Sequence, residues 1–153
     1  MKITDYLTPE LVVAELGQAS KEEALKLLSA RVAGVYPELS EAEILTVLRD
    51  REALGSTGIG GGIAIPHGKM GKLEKIIVLF ARSRQGVDFA AVDSQPVHLF
   101  FLLLAPENSA GIHLKTLAQI SRMLKNREFC DQLLEAEDGL SLFAMIKEVD
   151  ERS

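Results

Sequence analysis

Cysteine occurs once in this chain of 153 residues, as Cys130, which excludes an internal disulfide and a multi-thiolate zinc site. No run of lysine and arginine forms a basic stripe, and the formal charge is −5, so nucleic acid is not expected as a partner. Long apolar stretches are also missing. The longest, Leu99 to Ala105, is far too short to span a bilayer, and the opening MKITDYLTPE lacks the apolar core of a signal peptide. A soluble, cytoplasmic protein without direct membrane insertion is expected. The sharpest local absence is of acid: from Ala53 through Leu73 there is no Asp or Glu, although the chain as a whole is acidic.

What is present describes an ordinary folded chain, 47% hydrophobic and 25% charged, long enough to bury a core as one domain over residues 1–153. Ser20-Lys21-Glu22-Glu23 is a capping-box pattern, followed at helical spacing by Ala24, Leu27, Leu28 and Val32 and ended by Gly34 and Pro37. Ser40-Glu41-Ala42-Glu43 repeats the signal, with Ile44, Leu45, Leu48 and Leu54 as the apolar face of a second helix. Ile63-Ala64-Ile65 reads as a short strand stopped by Pro66. The near-continuous apolar runs at Ile76–Ala81 and Val97–Leu104 read as strands covered on both faces, with a shorter strand near Val87-Asp88-Phe89. Ile112, Leu114, Leu117, Ile120 and Leu124 suit a third long helix, Asn126 caps a fourth, which makes Cys130 a packed thiol, and the last starts near Gly139. The order predicts an α/β sandwich: a mixed sheet of about four to five strands between helices.

The segment Leu54–Met70, LGSTGIGGGIAIPHGKM, sits in the middle of this plan. A P-loop fails, because five residues rather than four separate Gly62 from Gly68-Lys69 and Met70 replaces the magnesium-binding hydroxyl. A dinucleotide fingerprint fails as well, since Ile63 and Ile65 fall where a third glycine is needed and the loop follows a helix. The plain alternative is that the glycines only make tight turns and His67 is incidental. Three features favour a working histidine. Pro66 stiffens the approach to the ring, Gly68 lets other backbone or a partner come close, and Arg49 and Arg51 end the preceding helix. With no carboxylate beside it in the sequence, His67 is suited to carry a phosphoryl dianion.

The chemistry requires a neutral imidazole, the ordinary state of histidine above a pKa of about 6.5, with one ring nitrogen attacking and the other held by an acceptor. Hydroxyls of Ser56 and Thr57, loop N–H groups and a guanidinium would then stabilise the equatorial oxygens. No metal or cofactor is required by this scheme, and the sequence offers no metal motif. His113, at the start of the third long helix, is open to two readings: it stands beside a phosphate on His67 at the positive helix end, or it is an ordinary polar residue of a first turn. His98 is read as a polar residue at the beginning of a strand.

Arg51-Glu52-(x)3-Ser56-Thr57-Gly58-(x)-Gly60 followed by Gly62-Ile63-Ala64-Ile65-Pro66-His67-Gly68-Lys69 resembles the EIIA domains of the phosphoenolpyruvate:sugar phosphotransferase system, in the fructose/mannitol class. The likeness continues through Phe89–Val97, Leu102–Pro106 and His113-Leu114-(x)2-Leu117, and the wording GSTGIG-x-GIAIPHGK with D-x-QPV is most similar to the nitrogen-regulatory members, as is a stand-alone domain. The resemblance implies that His67 accepts a phosphoryl group, on Nε2, from phosphohistidine on HPr or its nitrogen-branch paralogue. It also implies that Arg51 and His113 contact the phosphate, with Ser56 and Thr57 close by. Gly61 stands where related proteins often have asparagine, which implies a more mobile loop. Three functions follow: a phosphocarrier with regulatory output through partner proteins, a sugar-specific EIIA passing phosphate to an EIIB cysteine, and a non-catalytic anion-binding module.

Overall fold

The computed structural model describes residues 2–152. Ser20 opens α1 (Lys21–Val35): its Oγ accepts from Glu23 N at 3.2 Å while the Glu23 carboxylate accepts from Ser20 N at 3.0 Å, the reciprocal box that Ser-x-x-Glu encodes. Ser40 caps α2 (Glu41–Ala53) from one side only, accepting from Glu43 N. The inward face of α1 is Ala24, Leu25, Leu28, Ser29 and Val32, so Leu27, expected there, points to solvent and Leu25 replaces it. Leu54 also departs from expectation. It lies beyond the last residue of α2, no longer obeys the helical period, and is 84% exposed.

Seven strands form one mixed sheet: β1 (Val12–Val13), β2 (Ala19–Ser20), β3 (Gly58–Gly60), β4 (Ile63–Ala64), β5 (His67–Met70), β6 (Ile77–Asp88) and β7 (Val97–Pro106). The antiparallel pair β6–β7 is its spine. β1 and β2 run parallel to β6, β4 and β5 run parallel to β7, and β3 pairs antiparallel with β4 at the edge. This exceeds the four to five strands expected, because β1 and β2 are two-residue pieces and β3 and β5 lie in the glycine-rich segment, none of them with readable alternation. The segment Val87–Phe89 is not a separate strand either. Val87 and Asp88 end β6 beyond a bulge, with Arg82 opposite Leu99 and Val87 opposite Val97, and Phe89 lies just outside it.

Alternate residues of a strand face opposite sides, and on β7 every residue from Leu99 to Ala105 is buried, so both faces of the spine are covered. Phe80 packs edge-on against Phe101 and Phe89 against Phe100 inside it. The helices α1 and α2 pack against each other, with α1 on β6 and α2 on β5. The remaining helices, α3 (Ala110–Leu124), α4 (Arg127–Glu135) and α5 (Gly139–Glu151), pack on β7, on β7 and on β1 respectively. Asn126 caps α4, and Cys130 is buried in it with its Sγ donating to Leu124 O, a packed thiol as expected.

Within α3 the inward positions are His113, Thr116, Ile120, Met123 and Leu124, while Ile112 and Leu114 are exposed. The apolar spacing suggested otherwise. Polar Thr116 can take an inward place because its hydroxyl is satisfied on Ile112 O at 2.8 Å.

Gly68 is explained by the contact of α2 with β5. A Cβ at that position would overlap Cγ1 of Val47, so it is α2, rather than a partner, that comes close there. Valine is stiff at χ1 in a helix and cannot swing away. Gly68→Ala is therefore expected to lower stability by about 1–3 kcal/mol through overpacking. Adding Val47→Ala should recover part of the loss. Chemical denaturation of the two single variants and the double variant checks the coupling.

Candidate functional site

Three elements converge on one imidazole. The last turn of α2 supplies Arg51, the first residue of β5 is His67, and the first turn of α3 supplies His113. β5 runs parallel beside the end of β7, with His67 opposite Leu103, and α3 follows three residues after β7 ends. That connection returns His113 to His67, ring centroids 5.5 Å apart and planes 88° apart.

His67 is half-buried, and its Nδ1 lies 2.7 Å from Ile65 O. A carbonyl only accepts, so Nδ1 carries the proton and Nε2 keeps its lone pair. Arg51 Nε donates toward that lone pair at 3.3 Å, and its Nη1 donates to Gly55 O at 2.9 Å. Burial holds the His67 pKa below the usual value; the Ile65 bond and Glu52 oppose this and the Arg51 charge adds to it. His113 is 6% exposed, its pKa is lowered by burial and then by His67 and Lys69, and its buried Nδ1 has no hydrogen-bond partner among the described residues.

Other expected members stand elsewhere. Thr57 is buried, its hydroxyl bonded to a Glu52 carboxylate oxygen. Ser56 Oγ donates to Phe89 O at 3.3 Å and accepts from Gly58 N at 3.0 Å. Both hydroxyls brace the turn after α2 instead of facing the imidazole. Arg49 is turned away, in an exposed ion pair with Glu22. The acid-free stretch also gave an incomplete picture. Glu52, one residue before it, brings a carboxylate that is only 6% exposed and is paired with Lys21 Nζ at 2.8 Å. Sequence reasoning quoted this residue within a motif and gave it no part; the signal available was its place next to Arg51.

The glycine run is not a cradle for His67. Gly60, Gly61 and Gly62 all have positive φ, of 97°, 66° and 81°, and make the turn between β3 and β4. Asp93 takes Gly61 N at 3.0 Å, Arg127 donates to Gly61 O at 3.1 Å, and Gly62 O accepts from His98 N and Leu99 N. Bonds to two side chains hold Gly61, against the expectation of a mobile loop, and its left-handed backbone is one that asparagine also tolerates. His98 itself has Nδ1 on Ser83 O at 2.9 Å, at the start of β7.

Among the described residues no helix is long and apolar enough to cross a membrane. The family described as "Phosphoenolpyruvate-dependent sugar phosphotransferase system, EIIA 2" matches residues 5–149. A nitrogen regulatory protein of Bradyrhizobium diazoefficiens is 43% identical over 146 residues, 95% of each chain. A fructose-specific EIIA component of the phosphotransferase system from Haloferax volcanii is 38% identical over 156 residues, 99% of this chain and 100% of the other. The crystal structure of the nitrogen regulatory protein IIA-Ntr from Neisseria meningitidis superposes with a TM-score of 0.87 at 31% identity, covering 94% of this chain and 98% of that one. The mannitol IIA of Escherichia coli, at 22% identity and a TM-score of 0.76, has the same fold. This chain belongs to the EIIA 2 family of the phosphoenolpyruvate-dependent sugar phosphotransferase system.

Proposed function

We propose that this protein is a cytoplasmic phosphocarrier, a single EIIA domain over residues 1–153, in which Nε2 of His67 accepts a phosphoryl group from phosphohistidine on HPr or a nitrogen-branch HPr. The observation that carries the reading is the Nδ1–H···O=C bond to Ile65, which aims an unprotonated Nε2 at Arg51. The Nε2–P bond forms as the donor's N–P bond breaks, and that electron pair returns to the donor imidazole. Nδ1–H stays on Ile65. The Arg51 Nε–H then has phosphoryl oxygens to donate to in place of the lone pair, and His113 lies against the same ring.

His98 has the same tautomer, fixed on Ser83 O, with no arginine or second imidazole bonded to it among the described residues, which is why the role falls to His67. Exposed Leu54, Ile112 and Leu114 flank Gly55 and His113 and give a docking donor apolar surface around the polar centre. Output is regulatory, through proteins that bind the two forms differently. The likeness to nitrogen regulatory proteins supports this. The fructose-specific relative supports a second reading, in which the phosphoryl group passes on to an EIIB cysteine.

Incubation with phosphoenolpyruvate, Enzyme I and HPr should give an acid-labile, base-stable label that is absent from His67→Ala and retained by His98→Ala. Absence of label from wild type with every HPr-type donor would leave the anion-binding reading in its place. Added EIIB separates the two carrier readings by whether label leaves His67.

Removing the guanidinium in Arg51→Ala is expected to slow acceptance by roughly a hundredfold while the fold persists, the size seen for loss of one charge-stabilising donor. His113→Ala should slow it less. Quench-flow transfer kinetics with circular dichroism as the folding control measure both.

Lowered pKa values at His67 and His113 fix the direction of pH dependence. Acceptance should stay flat above about pH 6.5, the ordinary histidine value, and fall only below it as His67 protonates. Stability follows the same sign. The unfolded chain takes up protons near pH 6.5 while the buried rings resist them, so stability is lost as pH falls from there toward the folded values. Urea unfolding at pH 7.5 and pH 5.5 should show a difference that narrows in His113→Gln.

A further inference from the structure

Arg51 and His67 are aligned by groups that touch neither the donor nor phosphorus, and these groups lead back to one buried carboxylate. Glu52 follows Arg51 in the last turn of α2 and turns the other way. Its Oε1 accepts from Thr57 N at 3.0 Å and its other oxygen from the Thr57 hydroxyl. This closes the turn Leu54–Thr57, and within that turn lies Gly55 O, the acceptor that holds the Arg51 guanidinium. Thr57 works at its other end as well. Thr57 O accepts from Ile65 N at 3.0 Å, and Ile65 O is the acceptor that fixes His67 Nδ1. One residue, Thr57, thus connects Glu52 to both sides of the imidazole: to Arg51 through Gly55, and to Nδ1 through Ile65.

A buried carboxylate beside an incoming dianion would repel it and would itself be costly if left unpaired. Lys21, the first residue of α1, answers both problems, with its ammonium 2.8 Å from Glu52 and 4.8 Å from the Phe89 ring centre. Phe89 in turn offers its carbonyl to Ser56, the residue before Thr57. The carboxylate therefore has three donors, one of them a neutralising cation, and its geometry serves position, not contact with substrate.

We infer that Glu52, neutralised by Lys21, is a positioning residue for phosphoryl acceptance, acting through Thr57 on the acceptors that hold Arg51 and His67. The inference rests on the carrier reading above and adds to it residues that no motif role had reached.

The test uses the full chain as wild type, Glu52→Gln, Lys21→Met and the double variant. Two measurements are made: the transfer rate from a phosphorylated HPr donor across pH, and the His67 ring titration by nitrogen-15 NMR, which needs no donor. Glu52→Gln is expected to slow transfer by roughly ten- to a hundredfold, as displaced reacting groups do, and to move the His67 midpoint to lower pH. Lys21→Met leaves Glu52 and its bonds to Thr57 in place, so it also serves should Glu52→Gln fail to fold. It should slow transfer several-fold, because the unmasked charge repels the incoming phosphoryl group, and move the midpoint to higher pH. The double variant should return it toward wild type.

Wild-type rates in both single variants would overturn the inference. So would rates that fall only in step with the folded fraction while the His67 midpoint stays fixed. A wild type that takes no label, with its NMR midpoint shifted as expected by each variant, would overturn the carrier reading and leave the positioning network standing.

Discussion

On the carrier reading, the constraint on which the rest depends is a single hydrogen bond, from Nδ1–H of His67 to the carbonyl two residues earlier. An imidazole free to exchange tautomers would present Nε2 as a nucleophile only part of the time. Here the backbone acceptor makes the choice permanently, and the rest of the architecture keeps that acceptor in place. Ile65 is itself buried, its N–H goes to Thr57 O, and Pro66 restricts the step between the carbonyl and the ring that it holds. The Val47–Gly68 contact then presses α2 onto the next residue, so the strand carrying the imidazole and the helix carrying Arg51 cannot drift apart.

Electrostatics is arranged in two tiers around this bond. Arg51 is the cation that meets Nε2, and Lys69 lies near enough to lower the pKa of His113. Behind them lies the Glu52 carboxylate, its charge balanced by Lys21. A dianion arriving at Nε2 therefore meets cations and neutral rings ahead of any acid. The arrangement also keeps both imidazoles uncharged near neutral pH, since burial and neighbouring positive charge act in the same direction. His98 shows how much of this is specific: its tautomer is fixed equally well, and among the described residues no cation bonds to its second nitrogen.

How much of this could be read from the residues alone varied with the length of the pattern. Helix N-caps and buried strands were plain, because Ser-x-x-Glu and continuous Val-Ile-Leu-Phe runs are local signals with local causes. The stretch lacking acid drew attention to His67, and the nearness of Arg51 to it was legible from the end of the preceding helix and from the family resemblance. The two-residue strands Val12–Val13 and Ala19–Ser20 were not, since their identity lies entirely in their partners on β6. Neither was Asp150, whose buried carboxylate accepts from Ile3 N and Thr4 N across nearly the whole chain. Arg82 escaped as well. It is buried against Ala14 O, Leu133 O and Ala136 O, satisfied by backbone from two distant segments. The glycine run was over-read: its left-handed residues serve a hairpin turn, and Gly68, the glycine that lets α2 close on β5, has no unusual φ at all. Ser56 and Thr57 were placed in the right neighbourhood and given the wrong partners, because a hydroxyl's choice between a carboxylate and a phosphate is made in three dimensions.

Arg51 links the proposed acceptor to the loop after α2. Its Nε faces His67 while Nη1 holds Gly55 O, directly after exposed Leu54. On the carrier reading, a phosphoryl group on Nε2 gives the guanidinium two oxygen-rich partners to share, the phosphate and the Gly55 carbonyl, and the stronger bond is the charged one. The change at His67 then has a short path to an apolar side chain that a partner protein can contact. A carrier that only relays phosphate needs the first half of this arrangement. A regulator that is read in both states needs the second, because the partner must sense a difference in charge and shape at the rim of the site. Placing Leu54 just past the helix, where the periodicity that would have buried it has ended, supplies that rim without any cost to the core.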